Sequence, residues 1–572
     1  MNIFNHIAVP KVKRSTFNLS HDVRLTCDMS ELVPILCEEV IPNDTWKVDT
    51  NVLVRFAPLI APVMHKINVF VHFWYVPMRI VWDEFPKFIT GENEAKQPPQ
   101  NPPLFPSVEL LDSRNNSDYY DTDGLWSHGT LADYLGYPTS EEVKYGGGMH
   151  VNALPFRAYQ MIYDNFYRDE NLQEALNVSK ESGVTAAGSE EYVKLLTLRH
   201  RAWAKDYFTS ALPFVQKGRT QPVPVTGTGT IPSNTKAPIV FDPNTPLGAS
   251  DNAEVWKYAG GQPTSLGGLI GVPNYGDSSH VSLGTNDDYA IDAPLNIDNS
   301  DHLKANLSNI NVVLQGLGFT INDLRRANAI QKWLERNARG GSRYIEAMLA
   351  HFGVISDNLE LQLPEFLGGA QVPVQVGDVL QTSQTTDSSP QAEYAGVGFS
   401  RTPDGKLKFK KTFKERGYVM AIMSIMPKPT YMEGLPRKYR ITDKFDLYFP
   451  EFSYLGEEPV YNYELALRGE NHQDVFGYVP RYARYKYLPS TVHGDFKNLN
   501  GLGYWTLARH YDNQPSLSSE FIECNNVDDD LDRIFAVKEE DGSPVNYDHL
   551  FVSIHHDIKC RRPMPYLPEP SL

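Results

Sequence analysis

The sequence predicts a mainly β fold, an antiparallel barrel or sandwich that carries long helical and loop insertions. Three observations predict it. Strand-like runs occupy both ends of the chain; helical patterns stand in pairs between them; and the part after Gly353 breaks into short apolar runs between Gly, Pro and Asp turns. Repeated βαβ units would instead alternate strand and helix along the whole length.

The first strands are read from Val48 to Pro58 (VDTNVLVRFAP) and from Lys66 to Pro77 (KINVFVHFWYVP). In the second, Ile67, Val69, Val71, Phe73 and Tyr75 share one face at period two, and Asn68, Phe70, His72 and Trp74 share the other, so both faces are expected to be covered. His65 and His72 are read as hydrogen-bonded core or interface histidines, because no Cys or carboxylate stands at ligand spacing. A short capped helix follows at Thr130–Gly136, with Gly136 just past its end. From Pro155 to Asn177 the spacing of Phe156, Tyr159, Tyr163 and Phe166 predicts a helix with an aromatic core stripe. A third helix is expected from Asp323 to Ala338, ended by Gly340 and Gly341, and a fourth from Arg343 to Phe352, ended by Gly353. Gly417 to Met426 is the clearest buried strand; Phe445–Phe449 and Val475–Val479 are weaker candidates.

Between the helical pairs, residues 218–300 are about one quarter glycine and proline and keep only Arg219, Lys236 and Lys257 as basic residues. This stretch is read as a surface insertion with some β structure of its own, set into a core formed by 1–217 and 301–572.

The length of 572 residues would suit about four average domains, and an apolar fraction of 41% supplies a large core, which excludes a disordered or collagen-like chain. A net charge of −17 excludes a generic polyanion binder, so nucleic-acid contact must come from local basic patches. Cys27, Cys37, Cys524 and Cys560 are too few and too scattered for a disulfide framework or a zinc knuckle. The start, MNIFNHIAVPKVKR, has no apolar signal region, and Tyr418–Met426 is far short of the ~20 residues of a membrane span, so a soluble protein of a reducing compartment with no membrane insertion is expected.

A search for chemistry finds no GxSxG, HExxH or phosphate-loop motif, and no catalytic residue, metal ligand or cofactor is expected. Asp528–Asp532 lacks the spacing of a calcium loop and reads as a solvated acidic turn. His555, His556 and Asp557 are neighbours on a strand and point to opposite faces. Three basic clusters remain: Lys11, Lys13 and Arg14; Lys406, Lys408 and Lys410, which share a face if the segment is a strand; and Arg481, Arg484 and Lys486 among tyrosines. Cations with stacking rings suit a flexible single strand of nucleic acid. Edge-strand lysines that block aggregation, and Arg–Tyr packing at subunit contacts, are the other readings. A carbohydrate-binding or carbohydrate-hydrolysing β protein is the alternative class; hydrolysis needs two carboxylates ~5–10 Å apart in a cleft, and no local motif pairs them.

The strings FNLSHDVRLTCDMSELVPI (Phe17–Ile35), FWYVPMRIVWDEFPKFITG (Phe73–Gly91), LPFRAYQMIYDNFYRDENLQ (Leu154–Gln173), PEFLGG (Pro364–Gly369) and DVFGYVPRYARYKYLPS (Asp474–Ser490) resemble, in order, the major capsid protein of microviruses, small tailless single-stranded-DNA phages. The similarity is greatest to the gokushovirus-like branch. The resemblance implies an eight-stranded antiparallel jelly-roll core and sixty copies in a T=1 icosahedral shell around the single-stranded genome. It also implies companion DNA-binding, scaffolding or pilot proteins, assembly in the host cytoplasm, and a protrusion at the three-fold axes built by residues 218–300. On this reading the three basic clusters face the DNA, and Trp256, Tyr258 and Tyr275 in the insertion meet a bacterial surface receptor.

Overall fold

The computed structural model describes residues 13–91, 101–113, 121, 123–143, 148–218, 321–355, 357–358, 360–380, 394–403, 405–525, 530–536 and 547–566, with the backbone of six short strands between 226 and 318. The fold is mainly β and its large sheets are antiparallel. Eleven strands build two of them: β1 (Ser15–Asn18), β2 (His21–Cys27), β3 (Val33–Val40), β4 (Thr45–Phe56), β5 (Ile67–Pro77), β6 (Glu365–Pro373), β7 (Gln375–Leu380), β8 (Tyr394–Arg401), β9 (Lys408–Thr412), β10 (Gly417–Pro427) and β11 (Leu550–Arg562). The first sheet runs β1–β11–β4–β8–β7, with β2 also on β11 and β9 also on β4. Asn18 pairs with Lys559 and His21 with His556, so β1 and β2 lie end to end along β11. Arg401 pairs with Leu53 and Lys408 with Asp49, so β8 and β9 lie end to end along β4. The second sheet runs β6–β5–β10–β3.

The sheets pack because their sequences alternate. Trp46, Val48, Val52 and Val54 of β4 and Ile554 and Ile558 of β11 share one apolar core with Val69, Val71 and Phe73 of β5 and Val419, Ala421 and Met423 of β10. Each large side chain fully buried there contributes roughly 1.5–3 kcal/mol. β10 is buried at every position, since Tyr418, Met420 and Ile422 point the other way into a second core. Helices α1 (Met78–Val81), α2 (Leu154–Phe166) and α3 (Glu190–Leu196) supply that core. In α2, Phe156, Tyr159 and Tyr163 are buried as the stripe predicts, and Tyr159 Oη donates to Leu32 O at 2.9 Å. The layers are therefore open sheet, core, covered sheet and helices.

Three elements depart from expectation. α2 stops at Phe166 rather than near Asn177, because side chains take over the turn's hydrogen bonds: Asp169 accepts from Asn171 N and Gln173 from Asp169 N. The helix at Leu131–Tyr134 is not capped by Thr130, whose hydroxyl donates to Ser127 O; Gly136 does take the left-handed conformation, at φ 85°. Phe445–Phe449 is not a strand. Asp443 accepts from Phe445 N and nucleates a 3₁₀ turn over Lys444–Asp446, and another follows at Pro450–Phe452. Val475–Pro480 is a strand, paired with Glu457–Tyr461 over a third small core that holds Val460, Phe476 and Val479.

The chain divides into two units, Met1–Arg219 with Trp333–Leu572, and Thr220–Lys332. In the second, outgoing and returning chain pair antiparallel: Thr226–Thr230 with Val313–Gly318, Ile239–Phe241 with Leu303–Ala305, and Trp256–Ala259 with Gln262–Ser265. No helix among the described residues is long and apolar enough to cross a membrane, and all four cysteines are free.

Candidate functional site

Among the described residues of the first unit, the outer face of the first sheet is the large sheet surface that no helix layer covers. Along β11, Leu550, Val552, Ile554, His556, Ile558 and Cys560 point into the core, which turns Phe551, Ser553, His555, Asp557, Lys559 and Arg561 outward. β4 turns out Thr45, Lys47, Asp49 and Arg55, and β9 turns out Lys408, Lys410 and Thr412. Register then does what spacing along the chain cannot. Lys410 lies directly opposite Lys47, and Lys47 directly opposite Lys559, so three exposed lysines form a row across three strands. Like charges so placed repel, which costs stability unless a polyanion answers them. Lys559 lies 3.8 Å from Asp557, whereas Lys47 and Lys410 have no ion pair among the described residues. Arg24, Arg55 and Arg561 extend the same exposed face; Asp22, Asp49 and Asp557 oppose them, and Asp22 is paired with His555 at 2.6 Å.

Parts of the first two predicted clusters, Arg14 with Lys408 and Lys410, reach this face. Arg14 donates to Asn43 O and to Thr45 Oγ1, and the Thr45 hydroxyl is 2.9 Å from that of Thr412, so Arg14 lies beside the lysine row, two residues along β4 from Lys47. Lys13 is exposed and Lys11 lies outside the described residues. Lys408 and Lys410 share a face as expected. Lys406 does not join them, because a turn closed by Lys406 N to Pro403 O precedes the strand and its ammonium donates to Gln371 O. Lys411, on the opposite face, pairs with Glu365.

The third cluster belongs elsewhere, after the strand Val475–Pro480. Tyr482, at φ 61°, turns the chain into the 3₁₀ turn Ala483–Tyr485. Arg481 lies over the Tyr482 ring, Arg484 over the Tyr485 ring with a donor on Asp446 O, and Lys486 donates to Arg481 O. These cations are engaged by their own chain, and beside them Tyr448, Tyr454, Tyr485, Tyr487 and Leu488 are exposed. Trp256 and Tyr258 stand on a hairpin known by its backbone; Tyr275 lies outside the described residues.

His65 and His72 are half-buried, hydrogen-bonded histidines: the first reaches Lys428 O at 2.7 Å, the second the Tyr167 hydroxyl at 2.7 Å, and burial pushes each down to about 4. Glu31 is pushed up to about 8 by burial, yet its carboxylate accepts from Asp28 N and does not line the groove that runs along His21, Val23–Thr26, Ile35–Glu38 and Tyr134–Gly136. Where the spacing predicts no metal ligands, tertiary structure brings Asp28, Asp532 and His549 together, one ligand atom from each within 4.8 Å of the others.

A profile of the capsid protein (F protein) family matches residues 5–572. The chain belongs to the capsid protein family. It is 32% identical over 622 residues to capsid protein VP1 of Chlamydia phage 1, an alignment covering 100% of this chain and 98% of that protein. It is also 32% identical to capsid protein VP1 of Bdellovibrio phage phiMH2K over 566 residues and of Spiroplasma virus 4 over 580 residues, in each case 98% of this chain and 96% of the relative. These are gokushoviruses, the branch whose resemblance the sequence carries. A capsid protein is structural rather than an enzyme, which sets aside the carbohydrate hydrolase; such a protein self-assembles into the shell of the virion.

Proposed function

We propose that this capsid protein closes, in sixty copies, a T=1 icosahedral shell around a single-stranded DNA genome, with the outer face of its first sheet turned toward the DNA. The lysine row Lys410–Lys47–Lys559 carries this reading: direct like-charge opposition stands on a sheet face that no described helix covers, in a chain whose net charge is −17. Lys11, Lys13, Arg14 and Lys408 extend the genome-facing surface, whereas Lys406, whose ammonium is held by Gln371 O, does not. Arg481, Arg484 and Lys486, with their exposed tyrosines, suit a contact between subunits, since rings and guanidinium groups dominate such interfaces.

The core is an eight-stranded jelly roll on this reading. With β1 and β2 as one broken strand, β8 and β9 as another, and β7 as an addition, the first sheet orders the strands first, eighth, third, sixth. The second orders them second, seventh, fourth, fifth. That interleaving is the double Greek key. The core comprises 1–217 and 301–572, and residues 218–300 form a protrusion at the three-fold axes, poor in cations, through which Trp256, Tyr258 and Tyr275 meet a host receptor. Companion DNA-binding, scaffolding or pilot proteins join the shell in the host cytoplasm. Electron microscopy of the purified protein, alone and with its companion phage proteins, is expected to show closed icosahedral particles. A monodisperse monomer at high concentration under both conditions would overturn the reading.

A further inference from the structure

Three residues far apart in sequence meet at one end of the first sheet. Asp28 follows β2, His549 immediately precedes β11, and Asp532 opens the 3₁₀ turn Asp532–Ile534. His549 is only 5% exposed and its ring stacks on Phe535, centroids 4.5 Å apart and planes at 16°. Its Nδ1 is buried without a hydrogen bond, although it faces Asp28 Oδ1 at 3.5 Å and Asp532 Oδ1 at 3.4 Å. Asp28 Oδ1 accepts the main-chain N–H of His549 at 3.0 Å, which fixes that carboxylate beside the ring.

Both carboxylate oxygens face that nitrogen at 3.4 and 3.5 Å, beyond the ~2.7–3.2 Å of a well-formed N–H···O bond, so the contact is an ion pair without a good hydrogen bond. The two distances from the His549 nitrogen suit a shared metal, and all three atoms lie within 4.8 Å of one another. Ligands about 2.0–2.1 Å from a tetrahedral zinc lie roughly 3.3–3.4 Å from one another. Two carboxylates and a neutral imidazole carry the charge that balances a divalent cation, and the nitrogen selects the zinc class over calcium or magnesium, which prefer oxygen alone.

We propose that Asp28, Asp532 and His549 bind a divalent zinc-class cation, with water completing its shell, and that the ion clips the end of β2 to the start of β11, the last strand of the fold. It would stabilise the folded chain because the unfolded chain holds the ligands apart.

The test uses the full-length protein, stripped with chelator and dialysed against zinc chloride. The wild type is expected to hold about one zinc per chain and to melt at a higher temperature with zinc than without it. Asp532→Asn and Asp28→Asn are expected to bind more than about tenfold more weakly and to lose the zinc-dependent shift. His555→Gln, on the outer face and paired with Asp22, controls for adventitious histidine binding and should keep full occupancy. His549→Gln joins the series if it folds; the two aspartate variants decide the matter without it. Equal zinc content in wild type and both aspartate variants overturns the proposal, as does melting that responds to calcium chloride as strongly as to zinc chloride.

Discussion

His556 has no exposed surface, and both its ring nitrogens are committed: Nδ1 is 2.9 Å from the Thr50 hydroxyl and Nε2 is 3.0 Å from Ile35 O. Since Ile35 O only accepts, Nε2 carries the proton and Nδ1 accepts from Thr50, which makes the ring neutral. Burial, outweighing the opposing bond to Ile35 O, pushes it from 6.5 down to about 4. A base held below its free value adds stability that is complete above pH 6.5 and is lost as the pH falls through about 4, because the unfolded chain takes the proton first. The loss is on the order of 3 kcal/mol. Thermal melting between pH 7 and pH 4 should therefore drop steeply in the wild type and less in His556→Gln; equal slopes would count against the assignment. Gly434 makes a steric prediction. It sits at φ 89°, and a Cβ there would lie 2.3 Å from Glu464 O. Gly434→Ala should destabilise by more than about 1 kcal/mol in denaturant unfolding.

A strand declares itself in sequence when its two faces differ, and β5 and β10 do so through faces that enter two separate cores. The lysine row is an element-scale feature of another kind. Only β9 advertised its lysines; Lys47 and Lys559 are single cations in unremarkable strands until β4 and β11 pair. Replacing Lys47 with Thr removes two like-charge oppositions and should raise stability by about 0.2–1 kcal/mol. Replacing Lys47, Lys410 and Lys559 together with Gln should weaken single-stranded DNA binding and flatten its log–log salt slope by about 2. An unchanged slope in the triple variant would falsify the genome-facing assignment. The failed strand at Phe445–Phe449 teaches the converse: apolar content alone does not make a strand when Asp443 and Pro450 favour tight turns on either side.

At the scale of the whole molecule, function follows from which surface each layer leaves open. Among the described residues of the first unit helices cover the second sheet and leave the outer face of the first, while Thr220–Lys332 forms a unit of its own. Because chain leaves and returns through that unit in antiparallel pairs, its removal need not disturb the two large sheets. Phage with residues 218–300 replaced by a short Gly/Ser linker should still form shells and should adsorb to host cells far more weakly. Adsorption at the wild-type rate would sink the receptor role of the insertion.

By itself the sequence determined the β class, the two-faced strands, the helix stripe of Phe156, Tyr159 and Tyr163, the absence of catalytic motifs and the family, because periodicity and local strings are written in consecutive residues. Tertiary structure alone decided that Lys47, Lys410 and Lys559 stand side by side, that Arg484 and Lys486 are engaged by their own chain, and that Asp28, Asp532 and His549 converge. The physical reason is the same in each case: register and packing join residues separated by tens to hundreds of positions, and no local pattern encodes which strand will be a neighbour.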